Sequence, residues 1–192
     1  MMRRRDFVRH LTGGSVAGCL AHGVVARAEP AESSDVVDYS IPIIDTHQHL
    51  WDLERLNVPW VHNAAEVLRR SYVTRDYLQA TKGMNVAKTV YMEVNVPLAE
   101  QLNEVEIVTK LCKSREHPTA AAVIGGHPFE PTFGDYIREM ANNPFVKGVR
   151  QVLHGATPRG FCLRDPFVRS LRLLGELGLS FVLCMRPGGL NN

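Results

Sequence analysis

Apolar and polar positions along the chain alternate between two periods. Short apolar runs have the length and β-branched content of strands: "IPIID" (41–45), "AKTVYMEV" (87–94), "TAAAVIGG" (119–126), "FVKGVRQVL" (145–153) and "LSFVLCM" (179–185). Between them lie stretches whose apolar residues recur at three and four: "VTRDYLQATKG" (73–83), "PLAEQLNEVEIVTKLCKSR" (97–115), "FGDYIREMAN" (133–142) and "DPFVRSLRLLGELG" (165–178). These predict helices. Thr74 is placed to cap the first and Gly83 to stop it, while Gly178 closes the last. Pro97 suits a first-turn position in the second, whose apolar stripe reads as Leu102, Val105, Ile107, Val108 and Leu111. Strict strand and helix alternation implies parallel strands joined by crossover helices, an α/β fold. Five strands fit either a complete doubly wound sheet or the first five units of a (β/α)8 barrel, a fold that typically takes about 250 residues.

Residues 1–28 have a different character. Basic "RRRDFVRH" leads into the weakly apolar, glycine-containing "LTGGSVAGCLAHGVV" and then "ARAEP", with Ala26 and Ala28 at the small-residue positions before a cleavage site. This is the layout of an export signal. The apolar part is interrupted by His22 and falls short of the roughly 20 apolar residues of a membrane-spanning helix, so no transmembrane segment is expected. Arg4 and Arg5 followed by Phe7 and Val8 resemble the twin-arginine signature, which implies a periplasmic or cell-envelope protein. "VAGC" (16–19), a lipoprotein-like processing box, is the minor alternative. Polar residues 29–40 read as a linker, and 41–192 as the folded domain.

The signal also changes the charge. The 192 residues carry a formal +2, but residues 1–28 hold five arginines and one aspartate, and the remainder is net −2. No polyanion partner follows, and basic and aromatic residues do not interleave as a nucleic-acid face requires. Glycine-rich phosphate loops and serine nucleophile elbows are absent from the sequence of the domain. Cys112, Cys162 and Cys184 are odd in number and lack CxxC spacing, so they read as free thiols.

Candidate chemistry gathers at the strand ends. In "IIDTHQHLWD", His47 and His49 lie two apart on extended backbone and so point the same way. Such imidazoles can share one cation at about 2.0–2.1 Å, with Asp45 orienting a ligand or capping the turn. A catalytic metal needs at least one further protein ligand and an open position, so the pair is half a site. Glu93 ends the second strand as a substrate contact or a solvated carboxylate, and His127 follows the third. Arg150, on the fourth, offers a guanidinium fork to substrate or pairs with Asp45 or Glu93. His154, just past it, is placed to ligate or to shuttle protons, and Arg186 is a weaker copy of Arg150 on the fifth.

"IIDTHQHLWD" with Trp51, "VPWV" (58–61), "YLQA", "KTVYMEV", "VIGGHPFEP", "FVKGVRQVL" and "LGLSFVLCMRP", in that order, resemble the amidohydrolase superfamily. More narrowly they resemble its amidohydrolase-related branch ("amidohydrolase 2"), which contains sugar-acid and dicarboxylate lactonases. The resemblance covers 41–190. It implies a (β/α)8 TIM barrel of which about five units are present, and a hydrolase that attacks a lactone or similar cyclic ester or amide with activated water. It also implies a divalent ion, zinc foremost, on His47 and His49, with Arg150 facing a small-molecule substrate. By the same resemblance the catalytic base and an aspartate belong to later strands than "RPGGLNN" reaches, so the chain reads as C-terminally truncated. An inactive fragment that self-associates through unpaired barrel edges, or a small-molecule-binding α/β domain, are the alternatives.

Overall fold

The computed structural model describes residues 40–154 and 158–186, so the expected signal and all but the last residue of the expected linker lie outside the described residues. Five strands, β1 (Ile43–Gln48), β2 (Val86–Met92), β3 (Thr119–Gly125), β4 (Val146–Val152) and β5 (Ser180–Cys184), alternate with four helices. These are α1 (Thr74–Ala80), α2 (Gln101–Ser114), α3 (Phe133–Met140) and α4 (Asp165–Glu176). The strands pair in parallel in chain order, β1-β2-β3-β4-β5. That order decides between the two architectures left open by the sequence. A doubly wound sheet reverses direction at a switch point, whereas steady addition of each new strand to one edge curls the sheet into part of a barrel. All C-terminal strand ends therefore meet at one end, here called the mouth.

The helices cover one face of this sheet. Ile124 and Val149, 1% and 0% exposed, pack with Phe133 and Ile137 of α3, and Phe167 of α4 meets Phe181 of β5 edge to face at 5.7 Å. The exposed apolar side chains include Ile43 and Ile44 on β1 and Leu183 on β5, the two strands paired on one side only among the described residues. Among the described residues no helix is long and apolar enough to cross a membrane.

Several local expectations need correction. Thr74 is the first helical residue of α1 rather than its cap; the Asp76 carboxylate instead accepts the Val73 N–H at 3.1 Å. Pro97 precedes a separate single turn, Leu98–Glu100, that leads into α2. The buried stripe of α2 is Gln101, Glu104, Val105, Val108 and Cys112, whereas Leu102 is 58% exposed. Polar Gln101 and Glu104 displaced the expected leucine because the sheet end beneath α2 offers N–H and O–H donors to a carboxylate. Gly178 does end α4, with a φ of +70°, whereas α1 already closes at its C-cap Thr81 and Gly83, with a φ of +89°, lies in the turn beyond. Among the described residues Cys112, Cys162 and Cys184 are free thiols, with Cys112 buried.

Gly148 sets the spacing of β4 and β5, because a Cβ there would lie 2.6 Å from the Ser180 carbonyl oxygen. Gly175 on α4 has nothing within 4 Å of the same added atom. Gly148→Ala is therefore expected to cost about 1–3 kcal/mol in urea unfolding, while Gly175→Ala should stabilise by about 0.5–1 kcal/mol. Equal effects of the two changes would show that the β4–β5 approach is not tight.

Candidate active site at the mouth of the sheet

His47 and His49 leave the end of β1 with ring centroids 4.9 Å apart. Asp45 shapes this exit: its Oδ1 accepts the His47 N–H at 3.0 Å and its Oδ2 accepts the Tyr77 hydroxyl at 2.8 Å. It caps the strand end and does not pair with Arg150. His47 is exposed and His49 half-buried. The His49 Nδ1 lies 3.0 Å from the Met92 carbonyl oxygen, to which it can only donate, leaving Nε2 with its lone pair. Burial lowers the His49 pKa below the ordinary histidine value, which favours that neutral, ligating form. His49 thus offers one nitrogen of the kind a divalent ion takes, with the His47 ring next to it. Among the described residues no group of three or more His, Cys, Asp or Glu is placed to hold a metal.

Beside His49 lies a cavity of about 390 Å³, open at the mouth. It gathers His49, Glu93, Arg150 and His154 with two tryptophans, Trp51 and Trp60, whose rings meet edge to face at 5.6 Å. Both indole N–H groups are committed to backbone, Trp51 to the Arg70 carbonyl at 2.8 Å and Trp60 to the Val94 carbonyl at 2.6 Å. What they present to the cavity is ring surface. His127 is elsewhere: it lines a separate cavity of about 140 Å³ with Gln101 and Tyr136, and its Nδ1 lies 3.2 Å from the Gln151 amide. Arg186 is exposed at the end of β5.

Arg150 points away from the helix-covered face, since its neighbour Val149 fills that side. It reaches past β3 to the end of β2, where its Nη1 donates to Glu93 Oε1 at 2.5 Å and to the Glu93 carbonyl at 3.2 Å. Its Nη2 meets Cys184 Sγ at 3.0 Å. The side chains are 13% and 4% exposed, so this is a buried pair. Burial raises the Glu93 pKa from the carboxylate range, and Arg150 opposes that rise. The other carboxylate oxygen, Oε2, accepts the Asn95 N–H at 2.5 Å, in a turn where Asn95 adopts a φ of +54°. Among the described residues the guanidinium keeps its Nε–H and one Nη2–H for a ligand.

Trp60, Glu104 and Cys184 were not singled out as site residues from the sequence. Trp60 is visible only as part of "VPWV", and Cys184 only as a free thiol within a strand-like run. Glu104 had a signal, namely a carboxylate one residue before Val105 in the helical stripe.

The chain matches no family model. It is 26% identical over 123 residues to the uncharacterized protein y4mH of Sinorhizobium fredii, covering 59% of this chain and 41% of that one. Among solved structures it superposes on amidohydrolase 2 from Bifidobacterium longum subsp. infantis with a TM-score of 0.53 and 24% identity, covering 76% of this chain and 52% of that one. An amidohydrolase from Burkholderia multivorans solved with bound zinc gives a TM-score of 0.61 at 22% identity, covering 77% and 50%. The chain therefore spans about half the length of the proteins it matches. The fold is that of the partial α/β barrel of these amidohydrolases.

Two measurements test this geometry. Arg150→Met strands the buried Glu93 and should cost about 3 kcal/mol or more, part of which is recovered on adding Glu93→Gln; strict additivity in chemical denaturation would mean the two are not coupled. Glu104, 1% exposed on α2, has its pKa pushed up to about 7, chiefly by burial. A raised carboxyl pKa means that the folded state holds its proton more tightly than the unfolded chain. Stability relative to Glu104→Gln should then fall as pH rises from about 4.5 to 7 and level off above it, by on the order of 3 kcal/mol in total. Parallel stability curves for the two proteins from pH 5 to 8 would contradict it.

Proposed function

We propose that the protein is an exported hydrolase of the amidohydrolase kind that opens a lactone or similar cyclic ester with activated water, using zinc or another divalent ion on His47 and His49. The observation that carries the reading is the His49 ring, locked through Nδ1 to the Met92 carbonyl with Nε2 free beside a cavity walled by two indoles. The zinc-bound amidohydrolase of matching fold supports the choice of metal. Such an ion would supply Lewis acidity toward water and the ester carbonyl.

The remaining work falls to this chain's own side chains. Trp51 and Trp60 offer flat apolar surface against which a small ring can lie while bulk water is excluded. The free N–H groups of Arg150 donate to a ring or carbonyl oxygen, and Glu93 holds the guanidinium at that task. Because Glu93 and Arg150 balance each other's charge, the pair favours an oxygen-rich neutral ring as readily as an anion. His154, exposed at the cavity's rim, is the candidate to pass a proton to the leaving oxygen.

The test is turnover of a panel of sugar-acid and simple lactones by the purified protein, with and without a chelator. His47→Ala and His49→Ala should each weaken zinc binding by at least about tenfold, measured calorimetrically, and abolish chelator-sensitive turnover. Full turnover in both variants would overturn the metal role. Zinc binding at the pair with no lactone opened would overturn the chemistry.

A further inference from the structure

Glu104 lies behind the mouth, on the helix-covered side of the sheet, and touches none of the residues assigned a chemical role above. Its Oε1 is nonetheless shared by two strand exits. It accepts the Val94 N–H at 2.8 Å, on the residue after Glu93, and the Tyr91 hydroxyl at 2.9 Å. That hydroxyl also lies 3.3 Å from the Leu50 carbonyl oxygen, on the residue after His49. On its other side the Val94 peptide is held by the Trp60 indole at 2.6 Å. Val94 is thus pinned from both faces of the sheet, and the pins fix the backbone on which Glu93 and Asn95 turn.

We propose that Glu104 is a positioning residue for the mouth: its Oε1 sets the exits of β1 and β2 relative to each other, and through Val94 it places both the Glu93 carboxylate and the Trp60 ring. The proposal concerns the geometry of the cavity and stands whether or not the cavity binds a lactone. Its Oε2 has no hydrogen-bond partner and lies, with the Gln101 amide nitrogen, about 3.5 Å from where a Cβ on Gly125 would be. One oxygen therefore does all the holding, and an amide keeps that oxygen. The titratable groups that act on Glu104 are Tyr91 of β2 by a hydrogen bond and, through space, Glu93 just past β2, Arg150 of β4 and Tyr136 of α3.

The chain has two tryptophans, both in the cavity wall, so its intrinsic fluorescence reads the mouth directly. Glu104→Gln retains the acceptor and should leave the emission maximum and acrylamide quenching at pH 7 as in the unchanged protein. Glu104→Met fills the same volume without an acceptor and should red-shift the emission and raise quenching about twofold as the Val94 peptide is released. A side chain that merely fills the core predicts the reverse ranking, with Glu104→Met unchanged. Val94 N–H exchange with deuterium supplies a second reading in protein that stays folded: protection should be retained in Glu104→Gln and, in Tyr91→Phe, lost only at the β1 exit. Unaltered quenching in Glu104→Met, or loss of Val94 protection in Glu104→Gln, would overturn the proposal. A Glu104→Met chain that fails to fold leaves the decision to the Glu104→Gln and Tyr91→Phe exchange data.

Discussion

The mouth depends on a buried charge pair that reaches across a strand. Arg150 belongs to β4 and Glu93 to the end of β2, so their contact ties together two strands that are not neighbours, over the end of the strand between them. Neither charge can stay buried without the other, because an unpaired ion at 4% or 13% exposure would lose several kcal/mol of solvation. The sheet must therefore keep the curvature that lets the guanidinium span β3. That curvature in turn aims His49, His154 and the two indoles into one cavity. A second carboxylate, Glu104, meets the same segment from behind, so the stretch from Tyr91 to Asn95 is held by charge on one face and by hydrogen bonds on the other.

Much of the architecture is legible in the sequence because its signals are local. Five β-branched runs separated by helical periods predict the five strands and four helices, and Gly178 marks a helix end where the backbone turns left-handed. Whether the sheet curls was not legible, since strand order is a non-local property that leaves no mark on periodicity; resemblance pointed to a barrel, and the chain-order pairing bears it out. On α2 the expected Val105, Val108, Ile107 and Leu111 do pack on the core, but Leu102 does not, because hydrophobicity is an imperfect proxy for burial. Glu104 and Gln101 are buried against donors that only the assembled sheet brings to that place.

The candidate site divides along the same line. The histidine pair is readable because alternation along a strand is a local rule, and the rings do meet. Arg150 was weighed as a substrate fork or an ion-pair partner; its contact with Glu93 links residues 57 apart, a choice that sequence spacing cannot make. His127 illustrates the opposite hazard. A histidine after a strand end faces the mouth only if the loop turns that way, and here the loop carries it to the α2–α3 side.

Strand order equal to chain order also bears on how the domain is made. Among the described residues each strand and its following helix add to the growing edge left by the previous one, so the pairings seen are all between consecutive strands. A chain leaving the ribosome can bury β1 against β2 as soon as α1 and β2 are out, and extend the sheet unit by unit after that. The charge pair between Glu93 and Arg150 enters late in this sequence, once β4 has docked. Until then the Glu93 carboxylate has no arginine partner and is better left in water, so the wall it gives the cavity closes only as β4 arrives. The cavity is thus shaped well after His49 and Trp51, two of its own wall residues and among the first of the sheet to be made, have left the ribosome.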